Sequence, residues 1–191
     1  MTTIAAPLTS ADRWLTRYYT GRALFSVAWV ALAFAVGRTA SPIAVALIIA
    51  YPLWDGLANY LDAHRNGGLR ANPTQLLNTV VSAAVTLAVT LAVPQGFHAV
   101  VAVIGVWATL AGLLQLATAV RRWRNADAQW PMILSGAQSG LAGVFMVKRA
   151  GNASLTLGVA DVAPYAAFGA LYFAIAAVVL VVRRGRAGQA R

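Results

Sequence analysis

Six apolar runs, each long enough to cross the hydrocarbon core of a bilayer, constrain this chain more than any other feature. A membrane-crossing helix needs about 20 predominantly apolar residues. Residues 18–36, 42–61, 74–93, 97–120, 129–147 and 162–182 all supply them. Polar breaks separate the runs: Gly37-Arg38, a turn-rich connector from Asp62 to Pro73, Pro94-Gln95-Gly96, Arg121-Arg122-Trp123-Arg124 and Lys148-Arg149. Backbone polar groups in lipid must be satisfied within the segment, so such runs predict helices. The expectation is an all-α, polytopic membrane protein, a single six-helix domain over residues 1–191 with the lipid bilayer as its first partner. Composition agrees, because 10% of the residues are charged against about 25% in a soluble domain. With no cysteine, disulfides, thiolate metal sites and cysteine nucleophiles are excluded.

The net charge of +10 reads as orientation and not as nucleic-acid binding. Twelve of the fifteen Lys and Arg residues fall on one side of the alternating spans: Arg13, Arg17 and Arg22, then Arg65 and Arg70, then Arg121, Arg122 and Arg124, then Arg183, Arg184, Arg186 and Arg191. The other side holds Arg38, Lys148 and Arg149. The positive-inside rule then places both termini in the cytoplasm, N-in and C-in. The segment Arg121-Arg122-Trp123-Arg124 is also placed to hold anionic lipid headgroups. Residues 1–11 lack the basic and apolar regions of a signal peptide, so the first run is expected to remain a membrane helix. Thr9 to Asp12 carries a capping signal. Trp14 and Tyr18, four apart, suit a short interfacial helix leading into the span.

The runs repeat. Gly56, Gly112 and Gly169 recur in the even-numbered segments at spacings of 56 and 57 residues, followed three positions later by Asn59, Gln115 and Tyr172. Tyr51 and Trp107 each stand five residues before their glycine. The repeat units, about 18–65, 74–121 and 129–184, are helical hairpins of two crossings each. All three share one orientation and are related by a pseudo-threefold axis along the membrane normal. This pattern, with a length near 190 residues, a glycine in each second helix, and Trp14 followed by Arg22 before the first apolar run, resembles the HdeD acid-resistance membrane protein family, built from a short repeat of unknown function. The resemblance spans about residues 12–184. It implies a multi-pass protein of the bacterial plasma (inner) membrane, non-enzymatic, acting in acid resistance or another stress response.

Charges inside spans are the default functional suspects. Asp55 lies about 10 Å from the cytoplasmic end of its segment, and Arg22 enters at a similar depth on the other arm of the hairpin. An Asp55–Arg22 ion pair is expected, either as a contact that orients two helices or as a proton- or ion-binding carboxylate. Asn78, Ser82, Thr86 and Thr90 recur every four residues along one face of segment three. They form a polar stripe that either lines a water-filled path or bonds between helices. Asp161 is placed to cap segment six or, with His98, to form an external pH-responsive pair. Ser135, Gly136, Ser139, Gly140 and Gly143 form a small-residue stripe on segment five, fit for a tight helix contact or for self-association into a homo-oligomer. Gln138, among them, needs a partner.

No cofactor or metal site is expected: His64 and His98 fall on opposite sides of the bilayer. Asp55-Gly56 with Asp62 faintly resembles the aspartate motif of membrane CDP-alcohol phosphotransferases, but the further aspartates are missing. Three functions remain: a non-enzymatic HdeD-type protein acting through helix or lipid contacts; a small transporter or channel with its polar path near Asp55 and the segment-three stripe; and, after these, an enzyme acting on a lipid substrate through Asp55.

Overall fold

The structure, a computed structural model, describes residues 10–122 and 130–189, with side chains over 13–117, at 120 and over 133–182. The capping signal at Thr9 to Asp12, the basic segment Arg121-Arg122-Trp123-Arg124 and the arginines after segment six fall outside these side chains. Six helices follow one another: α1 Ser10–Val36, α2 Pro42–Arg65, α3 Pro73–Ala92, α4 Phe97–Arg122, α5 Trp130–Ala150 and α6 Ala163–Gln189. Among the described residues five of them, α1, α2, α3, α4 and α6, are long and apolar enough to cross a membrane.

Local chemistry sets the helix ends. Ser41 caps α2 by accepting the Ala44 N–H at 3.2 Å, with Pro42 in the first turn where its missing N–H costs nothing. Gly37, at φ 69°, lets the chain leave α1 in a left-handed conformation that a side chain would resist. α1 begins well before the apolar run and continues through it, so Trp14 and Tyr18 belong to the spanning helix. They do not form the separate interfacial helix expected from their spacing.

The closest helix pairs are α4/α5, α1/α6 and α2/α3; the hairpin partners α1/α2 and α3/α4 pack more loosely. Small residues explain two of these. Gly112 lies against the backbone of Gly136 and Gly140, and Gly143 against Thr109 and the Gly105 carbonyl, so neither has room for a Cβ. A Cβ on Gly56 would stand 3.1 Å from that of Ser82 on α3. Gly136 and Gly143 are thus used inside the chain, against α4, in the tight helix contact expected of the segment-five stripe. Gly169 departs from its two counterparts, with only the Tyr51 hydroxyl, 3.9 Å away, near where its Cβ would be. At α1/α6, aromatic contact takes over: Tyr19 stacks on Phe173 with centroids 6.3 Å apart.

The apolar core is confined to one end of the bundle. It gathers Trp29 and Ala33 late in α1, Ala44 and Ile48 early in α2, Val89 late in α3, Val100, Val101 and Ile104 early in α4, Met146 late in α5, and Val162 and Ala166 at the start of α6. Trp29 donates to the Leu47 carbonyl at 2.7 Å, beside the break that Pro52 makes in the α2 hydrogen-bond ladder. Around the periphery Leu24, Leu32, Leu87, Leu110, Leu141 and Val178 are exposed, as surfaces in contact with lipid chains should be.

Candidate functional site

The opposite end, where α1, α3 and α5 begin and α2, α4 and α6 finish, is hollow. A cavity of about 300 Å³ lies there, lined from all six helices. α1 contributes Arg22 and Ser26, α2 Asp55 and Asn59, α3 Asn78 and Ser82, and α4 Gln115. α5 adds Ser135, Gln138 and Ser139, and α6 adds Tyr172 and Phe173.

Two charges enter this space and meet. Arg22 Nη2 donates to Asp55 Oδ1. Arg22 Nη1 donates to the Tyr18 hydroxyl at 2.9 Å, and its guanidinium lies 4.1 Å from the Phe173 ring centroid, a cation–π contact. The other Asp55 oxygen accepts from Ser82 Oγ at 2.8 Å and from Asn59 Nδ2 at 3.3 Å. The side chains are 11% and 26% exposed, so the pair is mostly enclosed while the carboxylate still borders the cavity. A charge in such a place is tolerated only when paired and hydrogen-bonded, and both conditions hold. The cavity wall therefore carries dipoles but no net charge at this pair.

Three rings, one from each even helix, line the cavity where it meets the apolar core. Tyr51 and Trp107 lie 6.2 Å apart, Tyr51 and Tyr165 6.4 Å, and Trp107 and Tyr165 6.4 Å, all edge to face, the arrangement that aromatic quadrupoles favour. Ser139 Oγ lies 3.4 Å from the Tyr165 hydroxyl and donates to the Ala108 carbonyl at 3.2 Å. Beyond this layer lies the apolar core.

The segment-three stripe divides at that layer. Asn78 and Ser82 line the cavity, whereas Thr86 and Thr90 do not. The Thr86 and Thr90 hydroxyls donate to the carbonyls of Ser82 and Thr86 at 2.7 and 2.8 Å, the back-bonding that satisfies a helical threonine without any neighbour. Gln138 finds its partner in the Tyr172 hydroxyl, which donates to its Oε1 at 3.1 Å.

Ser26 was not singled out from the sequence, although it belongs to a repeated set. Ser26, Ser82 and Ser139 stand 56 and 57 residues apart, as do Arg22, Asn78 and Ser135, and Asn59, Gln115 and Tyr172; all nine line the cavity. The spacing of the repeat glycines, applied to the odd helices, points to Ser26 and Ser139. Asp62, read from the sequence as the start of a connector, has partners that only folding brings near. Buried one turn beyond Asn59, it accepts from Trp14 Nε1 at 3.0 Å, Asn66 Nδ2 at 2.9 Å and Gln75 Nε2 at 3.2 Å, tying α1 and α3 to the end of α2. Trp14 therefore faces α2, with Arg65 over its ring.

Asp161 and His98 sit at the other end of the bundle. Asp161 ends a short 3-10 turn, Val159–Asp161, and accepts the Gly158 N–H at 2.9 Å. It does not cap α6, because this turn intervenes. It also accepts from Arg38 Nε at 3.0 Å and Arg149 Nη2 at 2.8 Å. Burial alone would raise its pKa, but the bonds from Arg38, the Gly158 N–H and Arg149 outweigh it and hold the carboxyl below its ordinary value. Asp161 therefore favours its carboxylate form more than an ordinary aspartate does. His98 lies in the first turn of α4 with its Nε2 buried and without a hydrogen-bond partner, and no contact joins it to Asp161 among the described residues.

Residues 77–148, from early in α3 to the end of α5, match the family described as a short repeat of unknown function, DUF308. No curated protein and no solved structure matches the chain. The chain is a multi-span helical membrane protein in which residues 77–148 are similar to the DUF308 short repeat.

Proposed function

We propose that this protein is a non-enzymatic carrier whose cavity takes a small neutral polar solute from the cytoplasm, closed to the far side by the Tyr51, Trp107 and Tyr165 rings. The observation that carries this reading is the polar-lined cavity that reaches Asp55. Its charges are already paired, so it has no net charge there to hold an ion. It offers amides and hydroxyls from six helices and flat aromatic walls, the lining that suits a polyol-like or amide solute with polar edges and apolar faces. The cytoplasmic orientation rests on the twelve-to-three distribution of cations. The reading takes α5 as a sixth span, since the chain must return to the core end before α6 begins. That start is tied to α1 by the Ala160 N–H donating to the Gly37 carbonyl at 3.2 Å. It also takes the three hairpins as parallel repeats around a pseudo-threefold axis. The succession of close pairs α2/α3, α4/α5 and α6/α1 supports that arrangement, as does the cavity lining at the shared 56- and 57-residue spacing.

The test is solute entry into proteoliposomes. Swelling with glycerol, erythritol or urea should exceed that of protein-free vesicles, with no proton or potassium flux across stepped pH. Absence of swelling, together with no solute-induced rise in melting temperature, would sink the proposal. Ion flux without solute entry would overturn its neutral-solute part. Orientation is checked with single cysteines introduced into this cysteine-free chain. A cysteine at Arg38 should react with an impermeant maleimide added outside cells, and one at Arg70 should not.

A second reading, an HdeD-type role in acid or other stress, is favoured by the DUF308 match and by the apolar packing of the core half. It expects a strain lacking the protein to lose viability under acid challenge and to regain it with a variant carrying Trp107→Phe and Asn59→Ala, which alters the cavity.

A further inference from the structure

The core end of the bundle carries few cations, and two of the three gather at one point. Arg38 follows α1 and Arg149 closes α5, far apart in the chain, yet both reach Asp161. The Asp161 side chain is 3% exposed, whereas the arginines are 53% and 26% exposed. One enclosed carboxylate thus serves two accessible guanidiniums and leaves one positive charge over. Arg38 spends Nε and Nη2 on it, and Arg149 spends one Nη2. The Nη1 groups stay outside this bonding.

A cleft of about 560 Å³ opens beside them, lined by Arg38, Arg149, Phe34, Phe145 and Pro164. Phe34 and Phe145 are 56% and 60% exposed on the last turns of helices whose outer surfaces face lipid. Arginine is disfavoured on this side of a membrane protein by the positive-inside rule. Planar guanidiniums with unspent donors match the oxygens of a phosphodiester. A soluble anion has no use for the two phenylalanines beside them, but a lipid's acyl chain does.

We propose that this cleft binds an anionic phospholipid, with Arg38 and Arg149 on the headgroup phosphate and Phe34 and Phe145 against the upper acyl chain. The negative charge of the lipid balances the one left over. The inference is independent of what the cavity at the other end holds.

Delipidated protein in detergent is titrated with phosphatidylglycerol, phosphatidylcholine and glycerol 3-phosphate and read by native mass spectrometry. Phosphatidylglycerol should bind in preference to phosphatidylcholine. Arg38→Gln with Arg149→Gln should weaken it about 30-fold, and Arg38→Gln alone about 5-fold. The single variant removes an exposed side chain and keeps the test readable if the double variant melts early. Phe145→Ala should weaken phosphatidylglycerol without changing glycerol 3-phosphate. Arg13→Gln with Arg17→Gln, at the opposite end, should leave the tightest phosphatidylglycerol in place. Equal binding of the two lipids, or no loss in either arginine variant, would overturn the proposal. Glycerol 3-phosphate binding as tightly as the lipid would make the occupant a free anion, which overturns it equally.

Discussion

Arg22 is held by the Asp55 carboxylate, the Tyr18 hydroxyl and the Phe173 ring, so removing its counter-charge strands a guanidinium among apolar neighbours. Asp55→Asn should lower stability by about 2–3 kcal/mol, less than for a fully enclosed pair because the carboxylate edge reaches the cavity. Adding Arg22→Gln should restore part of it. Melting temperatures of the four variants in detergent form the cycle that checks this, and no recovery in the double variant would mean the pairing is not the source. Asp161 gives a pH prediction of definite sign. Its carboxyl is held below its ordinary value, so its contribution is present above the unfolded-state pKa and is lost as pH falls through the lower folded one. Asp161→Asn should therefore melt below the parent at neutral pH, and the gap should close only below the usual carboxylate range. At this scale the sequence is informative where a charge stands in an apolar run, since such a charge must find a partner within reach. It is uninformative where a residue serves a partner that only folding brings near. Asp62 reads as connector until Trp14 and Gln75 arrive beside it.

Among the helices, the glycines divide by what stands opposite them. Gly112→Ala should destabilise by about 1–3 kcal/mol, because its new methyl meets the α5 backbone, which has no side chain to swing aside. Gly140→Ala should be neutral or mildly stabilising: nothing stands within 4 Å of its Cβ, and alanine is the better helix former. Thermal melting of the two variants separates them, and equal losses would contradict the α4/α5 register. Trp107→Ala tests the aromatic layer. With one of three rings gone, the cavity should extend toward the core, and glycerol entry into proteoliposomes should rise severalfold. Helix number and approximate extent were legible because apolar length is a strong signal. The division of the segment-three stripe was not. Periodicity assigns Thr86 and Thr90 to the same face as Ser82, but it cannot say that their hydroxyls turn back to their own helix while Ser82 turns to Asp55.

The order of helices around the bundle was the least legible feature. Sequence adjacency favours the hairpins, yet α1 packs more closely on α6 than on α2, and α4 on α5 more closely than on α3. Small residues permit close approach without naming the partner, so only the assembled chain reveals which glycine meets which helix. The α1/α6 contact predicts that a short bis-maleimide will bridge Tyr19→Cys and Phe173→Cys within one chain. Cross-linked species running as dimers on denaturing gels would refute it. The same contact bears on synthesis. α1 leaves the ribosome well before α6, its closest neighbour, so Arg22 has Asp55 and Tyr18 but not the Phe173 ring until the four helices between them are made. A nascent chain stalled anywhere short of α6 holds an open groove along α1, the surface that a membrane chaperone or insertase would have to guard.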